Sequence, residues 1–444
     1  MAADAGALAR GSGADLRADV IVVGAGAAGL WVAEVAARGG RDVLVLEKTP
    51  RTGTKVLASG GSRCNLTTTL GPLEAARLFG AKGERFLRFA FEALPPRAVR
   101  ARFAEWGVES EEAPLEKVFP KSGNARDVRD AMERAMRGAG ARVELDAGVR
   151  ALAFDAGEFV TRLADGRVAR APRLVLAAGG KSYPATGTTG DAYAWLGDFG
   201  LPVTLPVPAL VPLVSDAAWV TELAGIAWQG GEVSLVDSRG KVLARRRRPV
   251  VFSHRGVSGP GAMDVSAHVA RATGSPFGVA VQERFELRLD LLPGVEREVL
   301  REGLVALAAA PGAPRLDRAL GTLLGARVAE SVPRRLFEAL LRQAGVADGI
   351  PRCNALDRAA RHGVVEALRG LSVPIVGTEG WDKAEVTAGG LELKAVDPRS
   401  MAVNAVPGLF VVGELLNVDG PIGGLSFQAA WATAELAGRA LANR

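Results

Sequence analysis

The residues with the clearest chemical purpose lie near the start of the chain. Gly24, Gly26 and Gly29 form a G-x-G-x-x-G that follows the apolar run Val20–Val23 and opens the helical pattern Leu30–Arg38. Gly24 permits a tight turn, Gly26 lets backbone amides approach a pyrophosphate, and Gly29 lets helix and strand pack closely. The peptide groups of Gly24, Ala25, Gly26, Ala27, Ala28 and Gly29 then face an anion at a helix N-terminus, where unpaired N–H groups and the helix dipole favour negative charge. A second apolar run, Asp42–Leu46, ends in Glu47. Its carboxylate can accept hydrogen bonds from an adenosine ribose and repels a 2′-phosphate, which argues against NADP at this site. Lys48, next to it, is expected on the same ligand.

A dinucleotide turn needs alternating strands and helices to hold it, and the first part of the chain reads that way. To about Leu205, β-rich runs such as Val20–Val23, Val43–Leu46 and Leu174–Ala177 alternate with helical patterns, the α/β signature. From about Pro206 to Leu292 short strands separated by Gly and Pro follow (Glu232–Val236, Lys241–Ala244, Val250–Phe252, Phe285–Leu289), predicting an antiparallel sheet or small barrel. Helical periodicity then covers Arg315–Leu324, Pro333–Ala344 and Asp357–Leu368, after which Leu409–Val412 reads as a buried strand and Gly423–Leu441 as a glycine-opened helix. The expected organisation is a discontinuous α/β domain over 19–205 and 381–444, a β-rich substrate domain over 206–292 and 371–380, and a helical insertion over 293–370.

The late return to α/β structure separates FAD from NAD. Leu174–Gly180 is an apolar strand ending in small residues, similar to the strand and turn that pass beside the dinucleotide in FAD proteins of the glutathione-reductase type, so Ala178, Gly179 and Gly180 are expected at the cofactor. Gly408-Leu-Phe-Val-Val-Gly413-Glu414 resembles the strand whose terminal acid holds the ribityl chain. Gly423 and Gly424 open a helix whose amides can stabilise charge at N1/O2 of a reduced flavin. An NAD dehydrogenase has no need of that return. The fold class is therefore a Rossmann-like FAD domain of the glutathione-reductase type with inserted domains.

Further motifs carry a resemblance to one family. Lys55-Val-Leu-Ala-Ser-Gly-Gly-Ser-Arg63-Cys64-Asn65-Leu-Thr67 is similar to a K-x-L-x-S-G-G-G-R-C-N-x-T motif, with Ser62 at the usual third Gly. Val118–Pro120, Gly179–Pro184 with Thr188–Asp191, His254–Pro260, Thr387–Gly390 and Asp419–Gly424 match as well. Together they resemble the bacterial FAD-binding family often labelled aminoacetone oxidase-like, which includes bile-acid enone reductases and a ribosomal RNA dihydrouridine synthase. The likeness spans about Asp19 to Ala440 and departs at Leu425-Ser426-Phe427, where many members carry Tyr-Asn-Leu.

The resemblance implies that Cys64 lies near the flavin, where a thiol can return a proton to substrate carbon opposite a hydride from N5; the alternative is a buried inert cysteine. Arg63 and Lys55 are expected on phosphate or flavin oxygens, and Asn65 on the isoalloxazine or on a backbone turn. Tyr183, after the Leu174–Ala177 strand, is either an acid or a packed aromatic. His254 can line the substrate side or simply be a surface residue. Arg245–Arg248 reads as a charged hairpin edge, with an RNA or phosphate contact as the alternative.

With the flavin site, the resemblance implies hydride transfer through flavin N5 to a conjugated C=C, in an enone or in uracil of ribosomal RNA. An amine oxidase using O2 and a non-catalytic flavin- or RNA-binding protein are the alternatives. No second G-x-G-x-x-G is present, so electrons come from NADH or NADPH bound transiently at the flavin, from the substrate, or from another donor.

Bulk properties are consistent with this. At 444 residues the chain exceeds what one core serves. A net charge of +6 allows an anionic partner. Two cysteines make no disulfide framework, which predicts a reducing cytoplasm, and three histidines without Cys/His spacing argue against a metal site. Met1–Ala18 lacks the pattern of a secretory signal. Val20–Ala37 is interrupted by Glu34 and does not read as a membrane span.

Overall fold

The computed structural model describes residues 15–273, 284–324, 332–346 and 349–443; most of Met1–Ala18 lies outside them. The chain divides into two compact units, one running to Pro206 and resuming at Val386, the other spanning Val207–Glu385.

In the first unit five parallel strands lie in the order Leu409–Val411, Arg173–Leu176, Val20–Val23, Val43–Leu46, Arg142–Glu144. Val20–Val23, Val43–Leu46 and Leu409–Val411 are buried along their whole length, as the unbroken β-branched and Leu runs require of strands covered on both faces. Leu174 stands opposite Ile21 on one side and Leu409 on the other, so the interior strand Arg173–Leu176 joins the two distant parts of the chain. The helices Ala27–Arg38 and Leu425–Ala442 also meet: a Cβ on Gly438 would come within 2.5 Å of the Val35 side chain, so only glycine permits this approach. Two acids buried at that contact are satisfied locally. The Trp31 indole N–H donates to Glu435 Oε2 at 2.8 Å, and Arg38 and Arg102 pair with Glu34. Burial still raises the Glu34 pKa above the ordinary carboxylate value, against the pull of the two arginines. A small antiparallel sheet, in the order Thr67–Thr68, Lys117–Pro120, Ser110–Ala113, completes the part of this unit that bears on the site.

The second unit carries a five-stranded sheet and a four-stranded antiparallel sheet, the latter in the order Val242–Arg246, Glu232–Val236, Phe285–Asp290, Leu371–Ile375. Leu287 and Val373 of that sheet share one apolar core with Leu300, Leu340 and Val364 of the helices Arg297–Ala309, Arg334–Gln343 and Arg358–Gly370. The helical stretch is thus packed on the sheet it interrupts in sequence. Val242–Arg246 is an edge strand, and the arginine run alternates as a strand must. Arg245 and Arg247 are exposed, whereas Arg246 and Arg248 approach the enclosed Asp264 carboxylate at 3.8 and 3.9 Å.

Candidate functional site

The Val20–Val23 strand passes into the glycine turn, which its neighbours fix: Gly24 N–H donates to the Leu46 carbonyl at 2.8 Å and Ala177 N–H to that of Val23 at 2.9 Å. The three glycines meet different surroundings. Gly24 has φ +100°, and a Cβ there would lie 2.7 Å from the Ala177 carbonyl oxygen. At Gly29 a Cβ would fall 1.8 Å from the Gly24 carbonyl oxygen, whereas at Gly26 it would meet nothing within 4 Å. Gly24 and Gly29 are therefore required by the fold, whereas the fold itself leaves room for a side chain at Gly26. The helices starting at Ala27 and Leu425 both lack a side-chain cap, so their first amides are not taken by a capping side chain. Two uncapped helix starts, with open space at Gly26, suit an anionic dinucleotide, and the residues present fit FAD.

Glu47 is less free than expected. It accepts from Ala25 N–H at 2.8 Å and from the Thr49 N–H and hydroxyl at 2.9 and 2.8 Å. Of roughly four lone-pair directions on a carboxylate, about one is left for a ribose hydroxyl. Lys48 reaches away from the turn to Thr189 Oγ1 and Asp191 Oδ2, each at 2.6 Å, and so ties down the loop after Tyr183.

Three separate motifs converge on Glu414. Lys55 Nζ donates to Glu414 Oε2 at 2.7 Å and to Ser182 Oγ at 2.5 Å, Ser182 Oγ donates to Glu414 Oε1 at 2.7 Å, and Thr387 N–H donates to the same oxygen at 2.8 Å. Thr387 Oγ1 in turn accepts from the Lys181 and Ser182 N–H groups at 2.8 and 3.2 Å. Gly180 has no room for a side chain, since its Cβ would lie 2.1 Å from Thr387 Oγ1, and Gly179 (φ +73°) presses on Thr188. Burial pushes the Glu414 carboxyl up, but the Lys55 charge and the hydrogen bonds from Lys55, Ser182 and Thr387 outweigh it and hold the pKa below the ordinary value. Tyr193 shows the converse: burial, then the negative charge of Glu414, raises its phenol, with Thr387 pulling the other way. Lys55 is thus committed to the protein's own carboxylate. Thr387 was quoted in the sequence only as part of a motif and Tyr193 not at all; a lone Thr before Gly-Gly gives no sign that its hydroxyl will bridge two chain segments.

The Arg63-Cys64-Asn65 segment divides by residue. Cys64 has φ +59° and no exposed surface; burial pushes its thiol up to about 12, with Ser59 pulling back. A proton donor must meet its acceptor, and this side chain is enclosed in the core, which favours the buried, inert reading of Cys64 over the proton donor. Asn65 Oδ1 accepts from Val118 N–H at 3.0 Å, the backbone alternative of the two considered. Arg63 is exposed, with its guanidinium 4.4 Å above the Phe119 ring. Tyr183 is not packed: 40% of it is exposed, at φ +54°, a conformation uncommon for a bulky residue. His254 belongs to the second unit, exposed at the turn between the strands Val250–Ser253 and Gly256–Ser258. Among the described residues no group of three or more His, Cys, Asp or Glu could hold a metal, and no helix is long and apolar enough to cross a membrane.

Over residues 18–440 the chain matches the HI0933-like protein Rossmann domain. It belongs to that family. Among its relatives, the 3-dehydro-bile acid delta(4,6)-reductase of Clostridium scindens is 30% identical over 95% of this chain and 98% of its own length. The ribosomal RNA dihydrouridine synthase of Escherichia coli is 30% identical over 94% and 96%. Among solved structures, the 3-ketosteroid delta1-dehydrogenase of Sterolibacterium denitrificans aligns with a TM-score of 0.52 at 14% identity, covering 96% of this chain and 99% of that one, which shows a shared fold. The expected family, fold class and enzyme class are borne out, and the chain is an FAD-dependent oxidoreductase.

Proposed function

We propose that the protein adds hydrogen across a C=C conjugated to a carbonyl, drawing electrons from NADH or NADPH bound transiently at the flavin face. The observation that carries this reading is the strand Arg173–Leu176, flanked by Val20–Val23 and Leu409–Val411, which brings the glycine turn, the Ala178–Gly180 turn and Gly413–Glu414 to neighbouring strand ends, where ligands bind in open α/β sheets. The relatives support the substrate class, because a delta(4,6)-reductase and a dihydrouridine synthase both have names that describe hydrogen added across a C=C.

FAD, when bound, supplies the hydride at N5. The amides from Gly24 to Gly29 would hold its pyrophosphate, Glu47 one ribose hydroxyl, Gly413 and Glu414 the ribityl chain, and the amides after Gly423 and Gly424 the pyrimidine edge. Lys55 keeps Glu414 ionised and in position. Tyr183, exposed on the loop that Lys48 ties down, is our candidate for returning the proton to carbon. A cytoplasmic site is in keeping with two cysteines that are both buried and free. Uracil in RNA is a second substrate class, favoured by the outward-facing Arg245 and Arg247.

The test is anaerobic reduction of the yellow protein by NADH or NADPH, followed by reoxidation with 2-cyclohexenone, an rRNA fragment, or O2 in the presence of amines. Efficient reoxidation by the enone or the RNA with sluggish O2 reaction is the expected result. Fast amine-dependent O2 consumption with inert enone and RNA would overturn the proposal in favour of an oxidase.

A further inference from the structure

The loop Ser59–Leu66 is held in an unusual shape around one exposed side chain, Arg63. Gly60, Gly61, Ser62 and Cys64 all have φ between +56° and +66°, and two of these residues carry side chains that disfavour that region. The loop is pinned on both sides of Arg63. Ala125 N–H donates to the Ser62 carbonyl at 2.9 Å, Cys64 N–H to Ser59 at 3.1 Å and Leu66 N–H to Val118 at 2.8 Å, while the Cys64 side chain is sunk in the core. Arg63 is left pointing outward, and the Phe119 ring beneath its guanidinium is itself only 7% exposed and therefore fixed. Stacking uses the face of a guanidinium and leaves the N–H donors around its edge free. Among the described residues Arg63 has no ion pair and no side-chain hydrogen bond, although Arg100, Arg102, Arg142 and Arg167 in the same unit are all paired.

The position of the loop indicates which ligand those donors serve. A Cβ on Gly424 would come 2.1 Å from the Thr67 carbonyl and 3.0 Å from Asn65 Oδ1, so the segment that follows Arg63 abuts the start of the Leu425–Ala442 helix. That helix start is the end assigned to the flavin ring, as distinct from the pyrophosphate turn at Gly24–Gly29, and Lys55 is already consumed by Glu414. We infer that Arg63 receives the carbonyl oxygen of the conjugated substrate and that Phe119 is the positioning residue that holds it flat; this rests on the reading of the protein as a reductase of conjugated C=C. As hydride from the reduced flavin adds to the β-carbon, the C=C pair moves into the bond between the α-carbon and the carbonyl carbon, and the carbonyl pair moves onto oxygen. The negative charge on oxygen meets the Arg63 donors. A proton from Tyr183 or water then reaches the α-carbon and the C=O re-forms, so that the substrate has gained one hydride and one proton, the hydride's two electrons being those that reduced FAD would supply.

The experiment measures three quantities on holoprotein of the wild type, Arg63→Met, Arg63→Lys, Phe119→Leu and Phe119→Tyr. These are the FAD dissociation constant, the binding of phenol as a stand-in for the enolate oxygen (read by flavin absorbance), and kcat with KM for 2-cyclohexenone. Loss of an oxyanion donor costs about 100- to 1,000-fold in kcat, the expected effect of Arg63→Met, with phenol binding lost and FAD affinity unchanged. Arg63→Lys is expected to recover only part of this, since an ammonium lacks the planar fork. Phe119→Leu should raise KM and weaken phenol binding while Phe119→Tyr restores both. If Arg63→Met instead weakens FAD binding with an unaltered KM, Arg63 is a cofactor ligand and the inference falls. If it changes none of the three while the wild type reduces the enone, the inference fails and the functional reading survives. A wild type that reduces neither the enone nor the rRNA fragment and does not bind phenol removes both.

Discussion

Lys55 and Arg63 lie in one short motif, yet the structure treats them in opposite ways. Lys55 is one member of a closed set with Glu414, Ser182 and Thr387, whereas Arg63 is exposed on an aromatic ring with its donors unused. The same division separates Gly29, pressed against the Gly24 carbonyl, from Gly26, which faces open space. One part of the site is completed by the protein itself; the other is left open, and it is there that we propose a ligand binds. A charged residue in such a motif therefore cannot be assigned to a ligand until its internal partners are known.

The sharpest way to break this comparison is to open the closed part. Lys55→Met leaves the Glu414 carboxylate largely buried without its cation, and should cost about 3 kcal/mol in urea unfolding; Lys55→Met/Glu414→Gln should recover much of that, because the stranded charge is gone. A double variant no better than the single one would mean that the pair is not coupled. The effect also has a pH signature. Because the folded Glu414 pKa is depressed, its contribution is complete above the unfolded carboxylate value of about 4.3 and disappears as pH falls through the folded value. Wild-type stability should therefore fall more steeply than that of Glu414→Gln on acidification below about pH 4.

The glycines give the next largest effect. Gly29→Ala should destabilise the fold by about 1–3 kcal/mol through overpacking. Gly26→Val should leave apoprotein stability within about 0.5 kcal/mol yet abolish FAD retention, read by flavin absorbance after gel filtration. Equal FAD affinity in Gly26→Val and wild type would remove the fingerprint assignment. The smallest effect concerns the loop strain. Ser62 sits at φ +65°, where the family motif carries Gly, so Ser62→Gly should raise stability by about 0.5–1 kcal/mol, the relief of the left-handed cost less the extra unfolded-state entropy of glycine. A lowered thermal midpoint would show that the Ser62 side chain has a task of its own.

The large-scale pattern was legible because it rests on periodicity. The runs Val20–Val23 and Val43–Leu46 are strands at the expected positions, the late Gly-Gly opens the Leu425–Ala442 helix, and the three helical stretches after residue 293 occur within a residue or two of their predicted bounds. The individual site roles were much less legible. Cys64 has a reactive side-chain type, but reactivity depends on exposure, and exposure depends on a left-handed turn that no local pattern announces in a residue other than glycine. Lys48 and Lys55 carry charges suited to phosphate, but their partners Asp191 and Glu414 are far away in sequence. Phe119 and Thr387 act through contacts made only once the chain has folded, so their residue types alone gave no hint.

The interior position of Arg173–Leu176 has a consequence for biosynthesis. One of its neighbours, Val20–Val23, is made early, but the other, Leu409–Val411, emerges from the ribosome more than 230 residues after Arg173–Leu176 itself. Until then one side of a largely apolar parallel strand presents unpaired N–H and C=O groups, the arrangement that recruits strands from other chains. A nascent chain stalled before Leu409 is therefore an aggregation hazard even though its nucleotide turn is already complete, and early availability of FAD cannot remedy it, because the missing component is a strand and not a ligand.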